Sequence, residues 1–160
     1  MDKKRKPTRL QGYDYSQNGA YFVTVCTEKR KNILSHIVGE GSPLPRLSPY
    51  GKIAERVILA IPNTYPTYTV EKYVVMPNHI HLILCVDGRG NPAPTLSDVM
   101  GWMKYEITKQ SNVYRGAVGE RIFQRSFHDH IIRNETDYLE IWQYIDNNPV
   151  KWQEDRFYCQ

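Results

Sequence analysis

The sequence predicts an α+β fold, one antiparallel sheet with helices packed on it, of the ferredoxin-like or RNA-recognition-motif kind. Three observations predict it. Runs rich in β-branched and aromatic residues alternate with helical patterns in the order strand, helix, strand, strand, helix, strand, helix. The two middle strands are joined only by Pro77 and Asn78, too short for a crossover, so they pair antiparallel. No repeat or linker of biased composition divides the 160 residues, which suit one domain, 1–160, with residues 1–10 a basic arm.

Each element has a local reason. "AYFVTVCT" predicts a strand near Tyr21 to Thr27. The Gly- and Pro-rich segment 39–51 reads as loop, with room for a short strand. Ser48 as cap and Pro49 at the first helical position open a helix with Ile53, Val57, Ile58 and Ile61 on one side, and Pro62 is expected to end it. "TYTVEKYVVM" and "HIHLILCV" are the paired strands, followed by a loop at 87–95. "TLSDVMGWMKYEITKQSN" reads as a helix whose Leu96, Val99, Met100, Met103 and Ile107 face the core. A strand is expected over about 126–133. The last helix starts at the cap Asn134 and stops before Pro149.

Composition narrows the function classes. Lys and Arg total 21 against 17 Asp and Glu, a mild basic bias compatible with nucleic acid. The charge concentrates in "KKRKPTR", which includes Lys4 and Arg5 and also reads as an ordinary solvated tail. Cys26, Cys85 and Cys159 are far apart and odd in number, which argues against a disulfide framework or zinc finger and for a reducing, cytoplasmic setting. No apolar run approaches a membrane span, so neither secretion nor membrane embedding is expected.

The chemistry concentrates in "PNHIHLILCV". On a strand His79, His81, Ile83 and Cys85 share one face, while Ile80, Leu82, Leu84 and Val86 form a wholly apolar opposite face. Two imidazoles at this spacing can hold one divalent ion with a third ligand from elsewhere, or can be satisfied core histidines; spacing alone leaves both open. His128 and His130 form a second pair around Asp129, where neither face is clean core and one ring can still reach a shared site. In the last helix Tyr144 and Asn148 lie four apart, flanked by Ile141 and Ile145, so they look toward the body of the protein. Each has a bland reading as packing or helix end. Together with the histidines they offer two imidazoles, an amide oxygen and a phenol, a set suited to attack on a phosphodiester polarised by a hard cation.

"MPNHIH", "FQRSFHDHIIRN" and "WQYIDNNPVKW", with the opening "LQGYDYSQNGAYFVTVCTEKR", closely resemble the REP-associated tyrosine transposases, relatives of the His-hydrophobic-His single-tyrosine transposases of the smallest insertion sequences. The resemblance spans about Arg9 to Trp152. It implies a ferredoxin-like fold, His79 and His81 as ligands of Mg²⁺ or Mn²⁺, and Tyr144 as nucleophile. Asn148 stands where the insertion-sequence relatives usually have glutamine as third ligand. His130 falls in a recurrent motif without an assigned role. The implied substrate is single-stranded DNA carrying a palindromic hairpin with a tetranucleotide at its foot. Lys4, Arg5, Lys104 and Arg125 are the expected DNA contacts, with Trp102, Tyr105, Tyr114 and Phe123 as stacking candidates. A DNA- or RNA-hairpin binding module without turnover and a hydrolytic nuclease using water are the rival readings. A monomer is expected over a homodimer, because little chain follows Pro149 to support an exchanged helix.

Overall fold

The structure, a computed structural model, describes residues 19–38, 44–87 and 94–159. In chain order the elements are β1 (Gly19–Cys26), β2 (Ser35–His36), β3 (Arg46–Leu47), α1 (Pro49–Thr64), β4 (Tyr68–Val75), β5 (His79–Val86), α2 (Leu96–Arg115), β6 (His128–Ile132) and α3 (Glu135–Asn147). The large sheet runs β4–β5–β1–β6 with every neighbouring pair antiparallel, and β2 and β3 form a separate two-stranded ribbon. This is the expected α+β, ferredoxin-like arrangement. Lys4 and Arg5, with the rest of the basic arm, lie outside the described residues.

Two differences from the sequence expectation have local causes. Pro62 does not end α1, which continues to Thr64. A proline removes one N–H and disturbs one carbonyl, but residues beyond it still close the last turn, as the Tyr65 N–H does on the carbonyl of Ile61 at 2.8 Å. The strand expected over 126–133 is shorter, because only His128–Ile132 pairs with β1.

The sheet separates two cores. On one face Tyr21, Val23 and Val25 of β1 and Ile80, Leu82 and Leu84 of β5 pack against α1 and α2, where Met100 and Met103 are fully buried. Phe123 also belongs to this core, so it is no stacking surface, whereas Tyr105 and Tyr114 are exposed. On the other face Cys26, Val74, Met76 and Ile83 meet Ile141 and Ile145 of α3, with Trp152 and Phe157 from the segment after it. Gly51 fixes how α1 enters: a Cβ there would lie 2.0 Å from the carbonyl oxygen of Leu34.

Where α3 sits depends on a slip in β4. Tyr68 and Val70 pair with Val86 and Leu84 on the α1 side, but a bulge at Glu71 resets the alternation, so Lys72 pairs with Ile83 on the α3 side. One extra residue turns every following side chain to the other face. Lys72 then reaches Asp146 of α3 at 2.6 Å and lies 4.2 Å from the centre of the Trp142 ring. At the other end of the helix the Asn134 side-chain oxygen accepts from the Asp137 N–H at 2.8 Å.

Candidate active site

The α3 face of the sheet carries four histidines in two adjoining patches. Strand pairing puts Val74, His81, Thr24 and His128 in one row, and Ile83, Phe22 and His130 in the next, because directly opposed residues share a face. His79, opposite Cys26, lies at the end of the sheet. Asp129 pairs with Val23 on the other face, so both members of the second histidine pair point to the site side.

His79 and His81 are buried, 0% and 1% exposed, with ring centroids 4.5 Å apart. Each is held through Nδ1. His79 Nδ1 lies 2.8 Å from Asn78 Oδ1 and His81 Nδ1 lies 2.8 Å from Thr24 Oγ1. The Asn78 amide nitrogen donates to the carbonyl of Phe157 at 2.6 Å, which fixes Oδ1 as an acceptor; His79 therefore carries its proton on Nδ1 and a lone pair on Nε2. That Nε2 faces Oδ1 of Asn148 at 3.2 Å. The Asn148 amide nitrogen donates to a carboxylate oxygen of Asp155, so its Oδ1 also presents lone pairs. Nε2 of His81 has no hydrogen-bond partner among the described residues. One ligand atom from each of His79, His81 and Asp155 lie within 4.8 Å of one another.

Acceptors facing acceptors in a buried place are what a cation resolves. The donor set fits a divalent metal on this structure's own terms: two neutral imidazoles anchored through their other nitrogens, an amide oxygen and a carboxylate. Burial holds both imidazoles neutral. It lowers His79 to about 4, with Asp155 and Asn148 pulling the other way and Arg156 adding to the drop. His81 is pushed well below the ordinary histidine value by burial, then by His79 and Arg156.

Helix α3 brings Tyr144 over this pair. Its ring centroid is 5.4 Å from that of His81 and 6.1 Å from Phe22, edge-on to the latter. At 42% exposure it is open to solvent, whereas His79, His81 and Asn148 are buried. Burial and the charge of Asp155 raise its pKa, and Arg156 opposes them, so the phenol is protonated at rest. Phe157 lies across the imidazoles, 4.6 Å from His79 and 6.2 Å from His81, and Trp152 lies 5.9 Å from His79.

The residues expected from sequence divide into two groups. His79, His81, Tyr144 and Asn148 come together. Lys104, Arg125 and His130 do not join them. The Lys104 ammonium donates to the carbonyls of Arg125 at 2.9 Å and Ser126 at 3.4 Å, tying α2 to the segment before β6. The Arg125 side chain is exposed there. His130 instead bonds Asp137 of α3 at 2.8 Å. Sequence reasoning missed Asp155, Asn78, Thr24 and Arg156. Thr24 had a signal, as the one polar residue within "YFVTVC". Asp155 had none, since it lies beyond the last periodic segment.

No protein-family model matches the chain. It is similar to an uncharacterised Haemophilus influenzae protein, 30% identical over 96% of this chain and 93% of the relative. A second Haemophilus influenzae relative, named for the REP-associated tyrosine transposases, is 29% identical over 86% of this chain and 74% of its own. Among solved structures, a REP-associated tyrosine transposase bound to a REP hairpin is similar at 26% identity and a TM-score of 0.59, covering 90% of this chain and 74% of that one. A Deinococcus radiodurans protein described as a transposase shares the fold, with a TM-score of 0.53 at 17% identity over 87% of this chain and 95% of that one.

Proposed function

The chain belongs to the REP-associated tyrosine transposases, and on that premise we propose that it nicks and rejoins single-stranded DNA at REP-type hairpins through a covalent 5′-phosphotyrosine intermediate. The observation that best supports this reading is Tyr144 lying over two buried, neutral imidazoles whose Nε2 atoms are not satisfied by donors. A pure binding module has no use for that combination, and a water-using nuclease has no use for the tyrosine.

His79 and His81, with Asn148 and Asp155, would hold Mg²⁺ or Mn²⁺, which when bound polarises the scissile phosphate. The chain's own groups do the rest. The Tyr144 phenol oxygen forms a bond to phosphorus as the bond from phosphorus to the 3′-oxygen breaks. The phenolic proton ends on the departing 3′-hydroxyl. One phosphodiester replaces another, so a second 3′-end can reverse the step without ATP. Thr24 and Asn78 keep the imidazoles in one orientation. Arg156, whose charge reaches both Tyr144 and the histidines, favours phenolate and anionic phosphate alike.

Lys4, Arg5 and Arg125 contact DNA phosphates in this reading, with Lys104 holding the segment that carries Arg125. In this reading the protein works on DNA in the cytoplasm, as a monomer or a homodimer. No helix among the described residues is long and apolar enough to cross a membrane.

Incubation with end-labelled hairpin DNA and Mn²⁺ tests the proposal. A DNA–protein adduct that survives denaturation, and that is absent from Tyr144→Phe, is expected. Cleavage without an adduct favours hydrolysis by water. Hairpin binding without cleavage favours the binding module.

A further inference from the structure

Helix α3 is tied to both edges of the sheet. In its last turn Asp146 pairs with Lys72 of the edge strand β4 at 2.6 Å. In its first turn Asp137 pairs with His130 of the opposite edge strand β6 at 2.8 Å, and the same carboxylate oxygen accepts from the Arg133 N–H at 3.4 Å. Between these ties the helix spans the site face of the sheet. Asp137, Ile141, Tyr144 and Asn148 are spaced four, three and four residues apart, so they form one stripe along the helix. The first tie also lies next to the nucleophile laterally. His130 is directly opposite Phe22 in the sheet, and the Phe22 ring meets the Tyr144 ring edge-on at 6.1 Å.

We propose that His130 is a positioning residue for Tyr144: by holding Asp137 to β6 it sets where the first turn of α3 sits, and so where the tyrosine two turns later meets the histidine pair. The role rests on the proposed use of Tyr144 as nucleophile. It gives the "HDH" segment a task that needs no contact with DNA or metal. The side chains of His130 and Asp137 are 54% and 26% exposed, so the pair adds little to global stability. Its value lies in geometry, to which attack on phosphorus is steeply sensitive.

The test measures single-turnover cleavage of a labelled hairpin with Mn²⁺, well below the melting temperature, for wild type, His130→Ala, Asp137→Ala, the double variant and His130→Gln. Tyr73→Phe, which loses a bond to Glu55 on the far side of the sheet, is the control for general destabilisation. His130→Ala and Asp137→Ala are each expected to slow the chemical step about tenfold, because Tyr144 loses its alignment, with hairpin affinity unchanged. The double variant should be no slower than the slower single one. Gln, whose amide can donate to Asp137, should restore most of the rate, and Tyr73→Phe should leave it unchanged. In parallel, ¹⁹F spectra of fluorotyrosine-labelled protein follow the Tyr144 line, assigned by its absence in Tyr144→Phe. It should shift in His130→Ala and return in His130→Gln. If wild type forms no adduct, the nucleophile reading fails, and the ¹⁹F line still decides the positioning. An unmoved line, additive losses, or weakened hairpin binding at an unchanged chemical rate each overturn the role.

Discussion

Oδ1 of Asn148 and Nε2 of His79 face each other at 3.2 Å, and neither atom has a proton to give. A neutral pair of acceptors in a buried site is unfavourable until a cation enters between them. Mn²⁺ is therefore expected to bind one to one in calorimetry. It should also raise the free energy of unfolding, by about 2.7 kcal/mol at a hundredfold excess over Kd. Asn148→Ala should weaken binding roughly tenfold or more, as should Asp155→Ala. No saturable binding to wild type would remove the metal centre from the mechanism.

Thr24 supplies the partner for His81 Nδ1 at 2.8 Å and is itself 2% exposed. Thr24→Val keeps the shape and removes the hydroxyl. The stranded ring nitrogen should cost about 1–3 kcal/mol in urea unfolding. A freer ring should also lower Mn²⁺ affinity by about 10- to 100-fold. An unchanged affinity would mean that the sheet alone orients His81.

Gly51 allows the backbone of α1 to pass the Leu34 carbonyl, which also accepts from the Ser48 N–H and hydroxyl. A Cβ at 2.0 Å from that oxygen can be relieved only by moving backbone. Gly51→Ala should therefore cost at the upper end of the ~1–3 kcal/mol typical of overpacking, despite the better helix propensity of alanine. A gain in stability would show that the carbonyl moves freely.

Much of this was legible in the chain because strand alternation is strict. "HIHLILCV" by itself assigned one face to the core and the other to the two imidazoles, and Tyr144 and Asn148 four residues apart had to share a helix face. The illegible parts are those that no period encodes. The bulge at Glu71 reverses the faces of β4 partway along, and nothing in "TYTVEKYVV" marks where the slip falls, so the Lys72–Asp146 tie could not be foreseen. Asp155 enters the site from an irregular segment, and its position follows from the hydrogen bonds of Asn148 and Phe157 rather than from spacing. Lys104 is a further case: as a charge beside aromatics it reads as a phosphate contact, and no spacing in the chain shows that its ammonium also donates to two backbone carbonyls.

The histidine pair should leave a signature in the pH dependence of stability. Burial lowers His79 from the ordinary 6.5 to about 4, and His81 moves in the same direction. Between those values the unfolded chain binds protons that the native site refuses. Metal-free protein should therefore gain stability as pH rises from about 4 to about 6.5, by a few kcal/mol, and level off above. Urea unfolding in EDTA across pH 4–8 measures this, and His79→Gln should flatten the slope. The same depression bears on the metal. An ordinary solvated histidine pair loses a divalent ion to protons as pH falls through about 6.5, because the ligand must be neutral. Here His79 stays neutral for roughly two further units, so proton competition at this ligand should set in only near pH 4. Mn²⁺ affinity measured from pH 7 down to 5 should therefore fall much less than the tenfold per unit expected for competition at an unshifted imidazole. A full tenfold loss per unit beginning near 6.5 would show that the imidazoles are open to water, and that the buried, acceptor-rich site is not the state that binds the ion.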